Sequence, residues 1–186
     1  MALKKPPRST ALPDLGLLDG VVAPRILEAL RVASEQLTKI GVRHALVGGL
    51  AVGAHGHPRA TKDVDFLVGE EAFMHHGGGL VTIAPGVPVQ VGDVAVDPIS
   101  IASGESYLDA AVAKPIISGG IPIAPVEVLF YLKLKSPRRK DAADLVELVK
   151  GGVATAPVRR YLEQVAPDMI DKFDLLITEA TSDDEE

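Results

Sequence analysis

Residues 43–68, RHALVGGLAVGAHGHPRATKDVDFLV, constrain the fold more than any other stretch of the chain. RHALVGG reads as a buried strand that ends in two glycines, and KDVDFLV reads as the next strand. LAVGAHGH between them has room only for a short helix or turn, so this part of the chain builds a sheet. Within the second strand, Asp63 and Asp65 stand two residues apart in a run of Val, Phe and Leu. Residues i and i+2 of a strand share a face. Two carboxylates on one face repel, and desolvating them together drives one pKa up. A divalent cation bridging both removes the difficulty, and oxygen ligands suit Mg²⁺. The plainer alternative is an exposed strand face with two solvated aspartates.

The rest of the chain sorts into three parts around this segment. Residues 1–20 hold prolines, glycines and small polar residues and read as a flexible leader. From Ala23, Ile26, Leu30, Ala33, Leu37 and Ile40 recur at helical spacing and Gly41 supplies the stop. Residues 69–123 hold short β-like runs, LVTIA, VPVQV, VAVDPIS and PIISGGIPI, with ASGESYLDAAVA as a short helix between the last two. Past Pro125 the pattern turns helical, in four segments with Pro near their starts: PVEVLFYLKLK, PRRKDAADLVELVK, APVRRYLEQVA and PDMIDKFDLLITEA. The expected organisation is a leader (1–20), a core (21–124), a C-terminal helical region (125–178) and an acidic disordered tail (179–186). Helices and strands do not alternate strictly, so the expected class is α+β or mixed α/β, a small mixed sheet flanked by helices.

The 186 residues suffice for one domain with a proper core, and no apolar run reaches membrane-helix length. The N-terminus lacks an apolar h-region, so no secretory signal is expected. The absence of cysteine removes disulfides and thiolate metal sites. Together these point to a cytoplasmic protein without membrane partners. A net charge of −6 argues against broad nonspecific nucleic-acid binding. KLKSPRRK (133–140), with five cations in eight positions, instead suits an anionic substrate held at one place.

Gly48-Gly49 can bring backbone N–H groups and a helix N-terminus close to a phosphate, or can simply make a tight strand–helix turn. Neither a Walker A loop nor a GxGxxG fingerprint is present. In GDVAVDPIS, Asp97 is a single acid in an apolar strand, either a third carboxylate or an exposed edge residue. Asp93, after Gly92, sits in the hairpin turn. Lys133 lies on the side of its helix that carries Leu129 and Phe130, so its charge either snorkels out or meets an anion in a cleft, a triphosphate or the carboxylates. Asp141 and Asp144 share a face with Leu145 and Leu148. Asp141 is a helix-dipole partner, a buried ion pair with Arg138 or Lys140, or a catalytic group. Arg59 contacts phosphate or a structural carboxylate. His55, His57, His75 and His76 lack a spaced acid and are assigned no metal, although His55 can line a nucleotide pocket.

The Gly48-Gly49 turn, the Asp63-Val64-Asp65 strand and Asp97 on a later strand resemble the nucleotidyltransferase superfamily related to DNA polymerase β. VGGLAVGAHGHPRATKDVDFLV with LKLKSPRRKDAADLVEL is similar, more narrowly, to the AbiEii-type nucleotidyltransferases, toxin components of type IV toxin–antitoxin systems and their relatives. The carry-over falls on Lys133, Arg138, Lys140, Asp141 and Asp144, and on Arg59 and Thr61 as the lead-in. The resemblance implies a polymerase β-like core that transfers a nucleotide from an NTP to an acceptor hydroxyl. Asp63, Asp65 and Asp97 would hold Mg²⁺ or Mn²⁺, with Asp97 also serving as general base. Lys133 and Asp141 would join the catalytic set. Gly48, Gly49, Arg59, Thr61, Lys133, Arg138 and Lys140 would bind the nucleotide.

It further implies a tRNA or other RNA 3′ end, or a protein, as acceptor, and a cognate antitoxin as partner. With four Phe and three Tyr there is no evident stacking platform for single-stranded RNA, so docking would fall to residues 133–140 with Arg159 and Arg160. The same core can instead serve a cationic small molecule such as an aminoglycoside, or survive as a non-catalytic nucleotide-binding partner module. Retention of all three acids speaks for catalysis.

Overall fold

The computed structural model describes residues 12–101 and 105–182. Helix α1 (Pro24–Lys39) starts on a proline, whose missing N–H costs nothing at a first helical position. It buries Ile26, Leu30, Ala33 and Leu37 and is followed by Gly41 at φ +75°. Ile40 falls at the cap rather than on the buried face and stays 44% exposed. Strand β1 (His44–Val47) is buried at every position and runs straight into the short helix α2 (Gly48–Ala54). Strand β2 (Val64–Val68) returns antiparallel to β1.

The ribbon β3 (Phe73–His75) and β4 (Val81–Ile83) stands apart as a separate two-stranded sheet. LVTIA, one of the β-like runs of the sequence, therefore pairs among the described residues only with Phe73–His75, across the turn of residues 76–80, and all three β4 residues are exposed. Of VPVQV only Gln90–Val91 forms a strand, β5. It pairs antiparallel with β6 (Val94–Ser100), which lies parallel to β2. Helix α3 (Ser106–Ala113) leads to the hairpin β7 (Ile116–Ser118) and β8 (Ile121–Ile123). Gly119 and Gly120 join its strands with φ of +54° and +79°, the two positive values that a two-residue type I′ turn demands. The main sheet has the order β5-β6-β2-β1-β8-β7 and is mixed, which places the fold in the α+β class.

Four helices complete the chain: α4 (Val126–Lys135), α5 (Arg139–Lys150), α6 (Thr155–Val165) and α7 (Ile170–Ser182). Val128, Leu129, Phe130 and Leu134 of α4 belong to the same buried cluster as the β1 and β2 side chains, so core and helical region share one interior. Each fully buried Leu, Ile or Phe in it contributes about 1.5–3 kcal/mol. No helix among the described residues is long and apolar enough to cross a membrane.

Two expected boundaries change. Residues 12–20 are not a flexible leader: Leu15–Leu18 forms a 3₁₀ turn capped by the Asp14 side chain, and Leu18 is fully buried. The cause is a notch at Gly53, where an added Cβ would lie 2.4 Å from Leu18 Cδ2. The expected tail from residue 179 begins as helix, since α7 runs to Ser182 and buries Ala180. Residues 1–11 of the leader and 183–186 of the tail lie outside the described residues.

Candidate active site

The register of three neighbouring strands assembles the acids. Asp65 of β2 pairs with Val47 of β1 on one side and with Asp97 of β6 on the other. Asp63 precedes β2 by one residue and shares the face of Asp65, as the alternation of a strand requires. Asp63, Asp65 and Asp97 each offer a carboxylate oxygen, and these oxygens lie within 4.8 Å of one another. Asp65 is half-buried between two exposed partners. Burial first, then the charges of Asp63 and Asp97, push its carboxyl up to about 6, against the opposing pull of Lys133 and Arg138. Three hard oxygen donors converging on one point, one of them paying for its charge, form a set that can hold a divalent metal ion.

The strained environment of Asp65 yields the first prediction. Its folded pKa lies above the ordinary 3.8, so ionising it costs the folded state. That cost is absent below about pH 4, grows as pH rises, and is complete above about pH 6, at roughly 3 kcal/mol. Metal-free Asp65→Asn is expected to be more stable than the wild type near neutral pH by up to that amount. The gap should close as the pH approaches 4, in urea unfolding followed with a chelator present.

Gly48 shows why this turn needs glycine. Its φ is +67°, and a Cβ there would lie 2.0 Å from Asp65 Oδ2. Gly48→Ala therefore meets both the left-handed penalty, about 1–2 kcal/mol, and the Asp65 carboxylate itself. It is expected to lower the thermal midpoint and weaken divalent-cation binding together; a melt with and without Mn²⁺ reads both. Gly49 is glycine for another reason: a Cβ would lie 2.9 Å from Thr61 Oγ1 and 3.2 Å from an Arg59 terminal nitrogen. The Thr61 hydroxyl in turn donates to Asp63 Oδ1 at 3.3 Å.

The opposite wall is a charge network built across α4, α5 and the lead-in to β2. Lys133 Nζ donates to Asp141 Oδ1 at 2.6 Å and to Asp144 Oδ2 at 2.8 Å. Arg59 grips both oxygens of Asp144, from Nε at 2.6 Å and Nη2 at 2.7 Å. Arg138 Nε donates to Asp141 Oδ2 at 2.7 Å. Lys133, Asp141 and Asp144 are all buried. Burial works against both carboxylates, but hydrogen bonds outweigh it. Lys133, Ser136 and Arg138 hold Asp141 at about 2, while Arg59 and Lys133 lower Asp144.

Between the two walls lies an open pocket of about 230 Å³. Gly48, Asp65, Lys133, Arg138 and Asp141 supply its polar lining, and Val47, Ile99, Leu129 and Leu132 its apolar wall. Ser136 also lines it, and its Oγ accepts from the Arg138 backbone N–H at 3.2 Å. Sequence reasoning passed over Ser136; its place between Lys135 and Pro137, inside the basic run, was the available signal.

Several expected partners fall elsewhere. Arg59 is spent on Asp144 and the Ala60 carbonyl rather than facing open space. Lys140 is exposed and stands outside the network, so of the two cations considered for Asp141 only Arg138 engages it. His55 donates from Nε2 to the Ala124 carbonyl at 2.9 Å, and burial lowers its pKa; it is a structural tie between the end of α2 and the residue that follows β8. His75 meets Glu70, and His76 meets Thr82. Asp93 pairs with Arg25 in the β5–β6 turn. Arg159 pairs with Glu163 and Asp174.

No family model matches the chain, and no curated protein matches it. Among solved structures it is similar to an antigenic nucleotidyltransferase-like protein from Paracoccidioides brasiliensis. The identity is 15%, the TM-score 0.45, and the match covers 86% of this chain and 93% of that one.

Proposed function

We propose that this protein is a metal-dependent nucleotidyltransferase that moves a nucleoside monophosphate from an NTP to an acceptor hydroxyl, breaking the α–β phosphoanhydride bond and releasing pyrophosphate. The observation that carries the reading is the convergence of Asp63, Asp65 and Asp97 on adjoining strands, against a glycine that leaves the Asp65 carboxylate its space. These three residues would hold Mg²⁺ or Mn²⁺, which when bound neutralises charge on the triphosphate and on the attacking and leaving oxygens. Gly48, which lines the pocket, would bring backbone to the triphosphate without side-chain obstruction, whereas Gly49, expected to do the same, is buried against Thr61 and Arg59. Asp97, exposed on β6, takes the proton of the incoming hydroxyl. Asp65 stays ionised once a cation offsets its neighbours. The protein's contribution is position and charge, as in phosphoryl-type transfers generally.

The AbiEii-type toxin reading, with a cognate antitoxin as partner, is the finer proposal. It draws support from the Lys133, Arg138, Asp141 and Asp144 motif, whose buried Lys133, Asp141 and Asp144 meet in one network that the exposed Arg138 joins through Asp141. Arg138 lines the pocket and is exposed, and Arg139 and Lys140, next in the chain, are exposed too. Cations there favour a polyanionic acceptor, an RNA 3′ end, over a protein side chain or a cationic small molecule.

A label-transfer assay tests the function. Each α-³²P NTP is incubated with the protein, Mg²⁺ and either total tRNA or cell lysate, beside an Asp63→Ala/Asp65→Ala control. Label on RNA that vanishes in the control is the expected result. Label on protein replaces the acceptor proposal, and no transfer to either sinks the enzymatic reading for these acceptors.

A further inference from the structure

The β3–β4 ribbon lines no part of the pocket, and its hydrogen-bond parity shows which way each of its residues points. The His76 N–H donates to the Leu80 carbonyl, and the Ala84 N–H to the Ala72 carbonyl. Residues 76 and 80, 74 and 82, and 72 and 84 are therefore the hydrogen-bonded pairs of the ribbon. The pairs between them, His75 with Val81 and Phe73 with Ile83, turn their N–H and C=O groups away from each other, to the outer edges.

The two edges are unlike. On β3 the outward N–H of Phe73 is already spent on the Glu70 carbonyl, and the His75 ring meets the Glu70 carboxylate. On β4 the outward N–H and C=O groups of Val81 and Ile83 make no hydrogen bond to a described residue. Proteins blunt such an edge with a charge, a proline or a bulge. Residues 80–84, Leu-Val-Thr-Ile-Ala, carry none of these. Leu80, Val81 and Ile83 are also exposed, the densest run of exposed large apolar side chains among the described residues. A two-stranded ribbon presenting such side chains to water is marginal on its own.

The symmetry of the edge shows what fits it. A two-fold axis through Thr82 lays β4 antiparallel on β4 of a second copy, with Val81 opposite Ile83 of the other chain and Thr82 opposite Thr82. Val81 and Ile83 are the outward-facing residues, so in this register every outward N–H meets an outward C=O. An axis between two residues would set outward groups against inward ones. No charge faces a charge, and β-branched side chains meet β-branched ones. A strand from another protein that is read by charge finds nothing to hold here, whereas the edge is its own complement, as an isologous contact requires.

We propose that β4 is a self-association edge, and that two copies of this protein pair there about Thr82 to make one continuous sheet, β3-β4-β4-β3. The strands are short, so the dimer is weak, with a dissociation constant on the order of 10 μM to 1 mM. The ribbon follows β2 at the end remote from Asp63, so the contact is separate from the carboxylate cluster.

Sedimentation across a concentration series up to about 1 mM is expected to show a reversible dimer. Val81→Pro deletes only an outward N–H, and Leu80 before it is already extended at ψ 129°, so the β3–β4 ladder and the thermal midpoint should be kept. The two-fold loses that bond twice, and the dissociation constant should rise at least about tenfold. Thr82→Lys and Thr82→Glu each set like charges across the axis and should be monomeric, while a mixture of the two variants should recover the dimer. The chain has no cysteine, so Thr82→Cys supplies a single thiol at the axis. Under mild oxidation it should crosslink far faster than Leu175→Cys, a control at an exposed position on α7.

A wild type that stays monomeric at about 1 mM overturns the proposal, whatever other strand the edge accepts. So does a dimer that Val81→Pro leaves at wild-type affinity, or a Lys and Glu mixture no more dimeric than either variant alone, because each puts the contact elsewhere. Thr82→Cys that crosslinks no faster than Leu175→Cys removes the axis from Thr82, a result that stands even when Val81→Pro does not fold.

Discussion

Asp65→Asn is expected to abolish nucleotidyl transfer, by on the order of 10³-fold or more, while leaving a folded protein. The substitution keeps the volume of the side chain and removes its charge. The carboxylate it removes is the central one of the three, flanked by Val47 and Asp97 in register and facing Gly48. The loss of rate is then separable from misfolding, because the same change is expected to relieve the ionisation penalty and stabilise the metal-free fold. Opposite signs in stability and activity at one residue mark a group placed for chemistry at the expense of the fold. A single-turnover assay beside a chelated melt reads both; a variant that is inactive only because it unfolds early contradicts the account.

The second large effect is on stability. Lys133→Met preserves the aliphatic stem and deletes the ammonium between Asp141 and Asp144. Both carboxylates remain buried, with side chains only 5% and 3% exposed, and each retains one arginine. Breaking a buried ion pair from one side costs about 3–5 kcal/mol, because the partner's desolvation is no longer offset. The midpoint of thermal unfolding should fall by roughly 10 °C. Asp141 and Asp144 have folded pKa values below the ordinary 3.8, so their contribution is full above about pH 4 and fades as the pH falls towards 2. The Lys133→Met deficit should therefore persist at neutral pH and shrink in acid, opposite in sign to the Asp65→Asn gain, which also shrinks in acid but is already gone near pH 4. A midpoint shift of a degree or less would show that the network carries little stability.

Local rules reached much of this molecule. The four C-terminal helices announced themselves through prolines at their starts and apolar spacing, and Asp63, Asp65 and Asp97 were legible as acids interrupting apolar strands. The misses share a tertiary cause. Leu18 looked like part of a leader because nothing near it in sequence shows the notch at Gly53. LVTIA was legible as β-like but its ribbon with Phe73–His75 was not, because periodicity shows that a segment is extended, not which strand accepts it. The helix face of Asp141 and Asp144 was readable, but Asp144's partner Arg59 lies 85 residues away. Gly48 and Gly49 looked alike in sequence; one clears the Asp65 carboxylate and the other makes room for Thr61 and Arg59.

The central claim is that the three carboxylates hold a divalent cation together with a nucleotide. Electron paramagnetic resonance of a Mn²⁺ titration tests it most directly, with and without an NTP whose α–β bridge cannot be cleaved. The account predicts Mn²⁺ binding that tightens when the nucleotide is present and is lost in Asp65→Asn. Mn²⁺ bound equally well by wild type and Asp65→Asn, or no binding by the wild type even with nucleotide, would contradict it.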